Sequence, residues 1–427
     1  MVFGAGGRAE RRLSLLRLSR PENRRRSRVP ACSIHPVLPT HAAISTPPPA
    51  GTSQRQWEID ALRGLMLVLM TLTHLPTRLT DPLGQPFGFV SAAEGFVLLS
   101  AYVSGLVYSR LAQRQGIGAM RRAFAQRVFK VWLAQAATLL FLFTIIAGLG
   151  VRIEQPAVTN LLTYYLAQPR EAFISGLLLV YEPPLLDILP MYIFFMLLSP
   201  WVLGFALRRG WVGVMTASVL LWALAQFGLS EWIYGLAVRF FGLSVPFGEM
   251  GAFNTFGWQF LWFAGMCLGA GRQAPGAKPL RFPAWVIALA GVIALHCLVW
   301  RHLGEHGQAP FGGDVELNLL FDKWLLGPLR IVNLAALGVL AVRFGPALIE
   351  RLPRLRPLEA MGSASLPVFC AHLVAVLLTL AVFGDSHTAR TPWGDALLLV
   401  TVFAWLYGVA RVTLASERRP SGGGGAG

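Results

Sequence analysis

The chain has 427 residues, of which 55% are hydrophobic and 14% charged, with a mean hydropathy of +0.55. A soluble chain carries roughly 25% charged residues, so this one lacks the polar side chains to cover a water-exposed surface, and a disordered chain is excluded as its main identity. The net charge of +16 would suit a nucleic-acid partner, but ten of the 37 Lys and Arg lie in the first 55 positions and most others in short gaps between apolar runs; that is how a membrane protein orients itself, and no nucleic acid is expected.

In chain order, residues 1–54 come first. They contain RRRSR at 24–28 and PPP at 47–49 and lack the apolar core of a signal peptide. They read as a disordered, basic, Pro-rich segment whose charge sets topology. Residues 55–415 read as one membrane domain. A spanning helix needs about 20 mostly apolar residues. Ten runs qualify: 61–79, 88–109, 131–150, 188–207, 211–229, 255–271, 284–300, 328–344, 365–383 and 394–412. The gap 110–130 holds six basic residues and no acid, and is predicted to be a topogenic or lipid-binding loop. The longest gap, 151–187, is expected to pack on the membrane surface or dip part-way in. Residues 416–427, ending SGGGGAG, read as a flexible tail.

With the N-terminus inside, the inner side collects 28 Lys and Arg; the outer gaps hold eight, together with 13 acidic residues. This alternation supports both the number and the direction of the spans. The fold class is therefore all-α: a polytopic membrane protein of about ten helices, surrounded by lipid, with both termini cytoplasmic. Of the four cysteines, Cys267, Cys297 and Cys370 lie in apolar runs, and no pair has metal-ligand spacing. No metal is expected. GxxxxGK[ST] and HExxH are absent. Gly265 and Gly269 form a GxxxG, a packing signal.

Ionisable groups inside membrane helices are costly, so each is a functional candidate. The first run, WEIDALRGLMLVLMTLTHLP at 57–76, carries Asp60, Arg63 and His74. Asp60 and Arg63 are one helical turn apart. Arg63 and His74 are eleven apart, which puts them on one face about 16 Å apart along the axis. The second run, FGFVSAAEGFVLLSAYVSGLVY at 87–108, descends where the first ascends, so Glu94 falls near the depth of His74. A carboxylate beside an imidazole fixes its tautomer and raises its basicity. That suits a general base or a histidine that transiently carries an acyl group. The simpler alternative is an ordinary ion pair and helix–helix hydrogen bonds. Small residues at Ala92, Ala93, Gly95, Ser100, Ser104 and Gly105 allow close helix approach. Further candidates are Asn254 and Gln259 opening the sixth span, Lys323 and Arg330 on one face of the eighth helix's start, and His372 in the inner half of the ninth.

These residues carry a resemblance. DALRGLMLVLMTLTHLP followed by FGFVSAAEGFVLLSAYVSGLVY resembles the OpgC family, associated with succinylation of osmoregulated periplasmic glucans. The likeness continues in LLDILPMYIFFMLLSP (185–200), FNTFGWQFLWFAGMCLG (253–269), FDKWLLGPLRIVNLAALG (321–338) and GSASLPVFCAHL (362–373). It covers about residues 55–412. The wider group of integral-membrane acyltransferases carries an Arg and a His with ten residues between them, matched by Arg63 and His74. The resemblance implies an inner-membrane enzyme. It would take an acyl group such as succinyl from cytoplasmic acyl-coenzyme A and place it on a hydroxyl of a periplasmic glycan. In that reading Arg63 guides the donor, and His74, oriented by Glu94, acts on the acceptor. Asp60, Lys323, Arg330, His372, Asn254 and Gln259 contact substrate. The rival readings are a transporter of an acylated or anionic envelope metabolite, and a structural subunit.

Overall fold

The computed structural model describes residues 57–418 except 275, 277, 278, 308 and 387–389. The described residues belong to one compact unit, which begins at Arg55. The segment 1–54 read as disordered, and the tail beyond 418, lie outside the described residues. Among the described residues the secondary structure is helical, apart from one isolated parallel bridge between Glu182 and Met250.

The main helices are α1 (Trp57–His74), α2 (Ala92–Phe141), α3 (Ile188–Arg209), α4 (Val212–Ala225), α5 (Leu229–Phe241), α6 (Thr255–Gly271), α7 (Ala284–Leu303), α8 (Pro328–Arg351), α9 (Arg356–Ser363), α10 (Ser365–Phe383) and α11 (Pro392–Arg418). All ten predicted runs overlap these helices. Six helical stretches are long and apolar enough to cross a membrane, or seven if α4 and α5, bent by 79°, form one span. The count of six is below ten for local reasons. α1 carries Glu58, Asp60 and Arg63, and α6 has only 17 residues. The second and third runs count as one stretch, Ala92–Arg152, although the backbone kinks between them at Gly116.

The segment 110–130 does separate the two runs, at a kink, but it is helical on both sides of that kink rather than an open loop. RLAQRQGIGAMRRAFAQRVFK is rich in Arg, Gln and Ala, good helix formers that give the chain no reason to uncoil. Its one break is Gly116, at φ 85° and ψ 166°, a conformation that a side chain would resist. The helix then passes through a π-helical turn, Leu142–Ile146, and ends at Arg152. Three short helices, Pro156–Leu161, Thr163–Ala167 and Pro169–Leu177, fill the gap before α3. At the other end α11 runs to Arg418, so residues 416–418 are helical and not part of a flexible tail.

Small residues decide the close crossings. A Cβ on Gly269 would collide with the Tyr102 carbonyl, one on Gly265 with that of Leu98, and one on Gly105 with that of Met266. The GxxxG of α6 and the small face of α2 thus fit backbone to backbone. Gly64 and Gly362 do the same between α1 and α9. The buried centre includes Leu67, Val97, Phe195, Trp262 and Val368. Around it, α7, α8 and α11 leave Trp285, Leu295, Leu348 and Val400 exposed. Helices apolar on their outward face suit a hydrocarbon solvent.

Candidate functional site

Arg63 and His74 both turn towards α10. An Arg63 Nη2–H donates to the Ser365 hydroxyl, and Arg63 Nη1 lies 3.7 Å from Asp60. Eleven residues on, His74 Nδ1 lies 3.1 Å from His372 Nε2. Ser365 and His372 are seven apart, two turns of α10, so the one-face prediction for α1 holds against a parallel neighbour.

The histidine pair has a defined proton order. His372 Nδ1 lies 2.9 Å from the Phe369 carbonyl oxygen. A carbonyl only accepts, so Nδ1 of His372 carries the hydrogen and its Nε2 presents a lone pair in the neutral ring. His74 Nδ1–H therefore donates to that lone pair, and Nε2 of neutral His74 has no hydrogen. These tautomers are assigned from the bonding network. His372 is fully buried, whereas His74 lines a cavity of about 420 Å³. His74 is thus the member of the pair that borders the cavity, and its Nε2 is the nitrogen not engaged with His372.

The other walls supply charge. Lys323, Glu182 and Asp187 line the same cavity, with Phe253, Trp324 and Phe369. Lys323 Nζ sits 4.5 Å from the Trp324 ring centre and 5.6 Å from that of Phe253, and no carboxylate among the described residues lies within 4 Å of it. Burial lowers its ammonium from the ordinary value, with Glu94 opposing the shift. The turn carrying it is held from behind: Trp258 Nε1–H donates to the carbonyls of Lys323 and Trp324, and Trp222 Nε1–H to that of Leu326. Burial and the nearby Asp187 push the Glu182 carboxyl well above its ordinary value, and burial pushes Asp187 up to about 6. Asp187 accepts from the Ala252 N–H at 3.2 Å. Gly251, at φ 86°, lets its backbone lie against the Glu182 carboxylate, where a Cβ would collide.

A second, much smaller cavity, about 20 Å³, lies beside Arg63, with Ser100, Arg127, Tyr192 and Ser365. Phe369 lines both cavities. Its ring packs on Phe96 and edge-on against His372. It forms the partition between the Arg63 side and the His74 side.

Several expectations are corrected. Glu94 does not pair with His74. It is the third residue of α2, and its Oε2 accepts from both the N–H and the hydroxyl of Ser91 in a capping box, while Oε1 accepts from Arg330 Nε–H. Helix capping and a buried arginine outcompete the histidine. Lys323 and Arg330 do not share a helix face: Gly327 and Pro328 start α8 after Lys323, which stays in the preceding turn. Only Lys323 lines the cavity. Arg330 is buried against Glu94 and the Phe321 carbonyl. His372 sits at the depth of His74, because α10 begins beside Arg63, seven residues into α1. Gln259 is used up between helices: its amide donates to the Ser218 and Phe256 carbonyls and accepts from the Ser218 hydroxyl. Asp60 accepts from Ser363, joining α1 to α9. Asn254 caps α6 through the Gly257 N–H and donates to Ser230. Glu182 escaped sequence reading altogether; it lies in the loop before α3, with no periodicity to mark it.

In comparisons with known proteins, the family model described as OpgC protein matches residues 55–418. No curated protein and no solved structure matches the chain.

Proposed function

The chain belongs to the OpgC family, and on that premise we propose that it is an O-acyltransferase of the bacterial inner membrane. It moves an acyl group, succinyl being the type the family suggests, from cytoplasmic acyl-coenzyme A to a hydroxyl of an envelope glycan. The single observation that carries this reading is the His74–His372–Phe369 chain, which leaves His74 Nε2 as a base on a cavity holding an unpaired Lys323.

The chemistry follows from those groups. His74 Nε2 takes the proton of the acceptor hydroxyl as its oxygen attacks the thioester carbonyl. The carbon–sulfur bond breaks, and the coenzyme A thiolate leaves with the proton returned from His74. The His372 lone pair steadies the imidazolium that forms between those steps. Lys323 offers a positive charge either to the developing oxyanion or to the distal carboxylate of a succinyl group. Arg63 and Arg127 face the donor on the far side of Phe369, and the acyl arm passes that ring to reach His74. Holding both reactants in one cavity supplies much of the rate.

The test is a sided assay. Purified chain in proteoliposomes receives labelled succinyl-coenzyme A on one face and a neutral glucan on the other, with products read by mass spectrometry. Labelled ester on the glucan supports the reading. Glucan movement across the bilayer without thioester consumption would replace it with a transporter.

A further inference from the structure

Apart from the two cavities that Phe369 lines, α2 and α3 leave a groove of about 240 Å³ between them. On the α2 side it is lined by Arg121, Phe124, Ala125 and Val128, a spacing that makes one helical face. On the α3 side, Met196 and Pro200 join Phe124 as a buried floor, while Leu197 and Trp201 stand exposed at the rim. Ala125 is also exposed, and its small side chain keeps the groove open. A Cβ on Gly204 would meet the Ile117 side chain at 3.9 Å, so residues rising along α2 face residues falling along α3, and the pair is antiparallel. The apolar surface continues along α2 in the exposed side chains of Phe129 and Leu133.

One end of the groove is basic. Arg121 lines it and Arg122 follows, while Arg208 and Arg209 lie just beyond Gly204 at the end of α3. By helix rise these four positions fall within about 15 Å along the axes. All four are exposed, and none has a hydrogen-bond or ion-pair partner among the described residues. Beyond Glu94, neither α2 nor α3 carries an Asp or Glu. Trp201 is 61% exposed, as an indole at a membrane–water boundary is, and its Nε1–H has no partner among the described residues. Topogenic charge accounts for arginines at helix ends, but it does not require an apolar groove that begins at one of them.

The lining discriminates between ligands. A soluble anion would meet the guanidinium and leave the apolar floor wet. A lipid with an ammonium headgroup would bring a cation among arginines that have no carboxylate to receive it. A phospholipid with net negative charge meets every feature. Its phosphate accepts from a guanidinium, the Trp201 indole sits at headgroup level, and a chain covers Phe124 and Val128. We propose that this groove binds one anionic glycerophospholipid, with its phosphate at Arg121 and one acyl chain between α2 and α3. Basic pockets between membrane helices hold lipid headgroups in just this way. The same two helices wall the small cavity beside Arg63 through Ser100, Arg127 and Tyr192, so the lipid braces the pair that shapes it. The inference is independent of the acyltransferase reading.

The experiment uses the full purified chain in detergent, stripped of lipid. It is titrated with an equimolar mixture of phosphatidylglycerol and phosphatidylethanolamine of identical acyl chains, and retained lipid is counted by native mass spectrometry. One phosphatidylglycerol per chain is expected, retained several-fold over the ethanolamine lipid. Arg121→Gln should weaken its retention about fivefold, the worth of one basic residue against an anionic headgroup. Ala125→Trp fills the groove without changing charge and should weaken retention at least as much. Arg122→Gln removes the same charge from outside the lining and should change retention by less than about twofold. Circular dichroism checks that each variant folds. Equal retention of the two lipids, equal losses in Arg121→Gln and Arg122→Gln, or unaltered retention in folded Ala125→Trp overturns the proposal. Displacement of the lipid by equimolar glycerol phosphate or coenzyme A also overturns it, and would make the groove a site for a soluble phosphate.

Discussion

In the proposed reaction His74 and His372 make a base without a carboxylate. In the usual arrangement an acid holds the histidine and offsets its charge; here a neutral imidazole, itself anchored to the Phe369 carbonyl, does the orienting. Replacing His372 by Gln removes the ring while keeping a polar group. It should lower kcat about tenfold or more, the effect of one disturbed buried hydrogen bond, and leave KM for donor and acceptor unchanged. A change in KM alone would make His372 a binding residue instead. The Glu182–Asp187 pair gives a pH signature. Asp187 sits at about 6 in the folded chain, against roughly 3.9 when unfolded. Between those values the folded state holds more protons, so stability is full at acid pH and is lost as pH rises through about 6. Glu182, raised by burial and by Asp187, extends the loss upward. Thermal unfolding in detergent should show Tm falling across that window, and falling less in Asp187→Asn. An equal fall in the variant would mean that other groups set the dependence.

Among the elements, what was legible in the sequence was whatever depends on spacing. The eleven-residue step from Arg63 to His74 placed both on one face because helix geometry is rigid. Gly265 and Gly269 signalled a close helix crossing for the same reason, since a backbone contact needs a residue without Cβ, and the structure makes α2 the partner. Gly269→Leu should therefore destabilise the chain by about 3 kcal/mol or more, at the upper end of what overpacking costs, seen as a lower Tm and loss of the folded peak in size exclusion; an unchanged Tm would mean the crossing can open freely. What was illegible depends on partner choice. Glu94 was read as the partner of His74 from matched depth, yet Ser91 three residues before it claims one oxygen through a local cap and Arg330 the other. The break between the second and third runs was legible, since Gly116 falls inside the gap read at 110–130; that the rest of the gap is helical was not, because a stretch of Arg, Gln and Ala favours helix whether or not it leaves the membrane. Phe369 was hidden among apolar neighbours and is identified only by the cavities on its two sides. Phe369→Ala should open that partition, raising acyl-coenzyme A hydrolysis without acceptor by several-fold in a coupled thiol assay. A reduced rate with intact folding would show that the ring positions the donor rather than separating the chambers.

At the scale of the molecule, the composition settled the class before any motif: too few charges for water, and apolar runs separated by basic gaps. The helices divide the labour. α1, α2, α3, α6 and α10 form the buried interior, while α7, α8 and α11 present apolar faces outward. The end of α1 is tied to the start of α11 by Arg78 and Arg390, both paired to Asp395 at 2.8 and 3.1 Å. That clamp fixes the chain just after His74. The whole arrangement brings one imidazole, one ammonium and two carboxyls onto a single cavity. Its most direct test is single-turnover acyl transfer by His74→Ala in nanodiscs, with folding verified by circular dichroism. Loss of acceptor acylation by about 10²–10⁴-fold, the ordinary worth of a general base, with donor binding retained, is the predicted result. Acylation at the rate of the unsubstituted chain would contradict it.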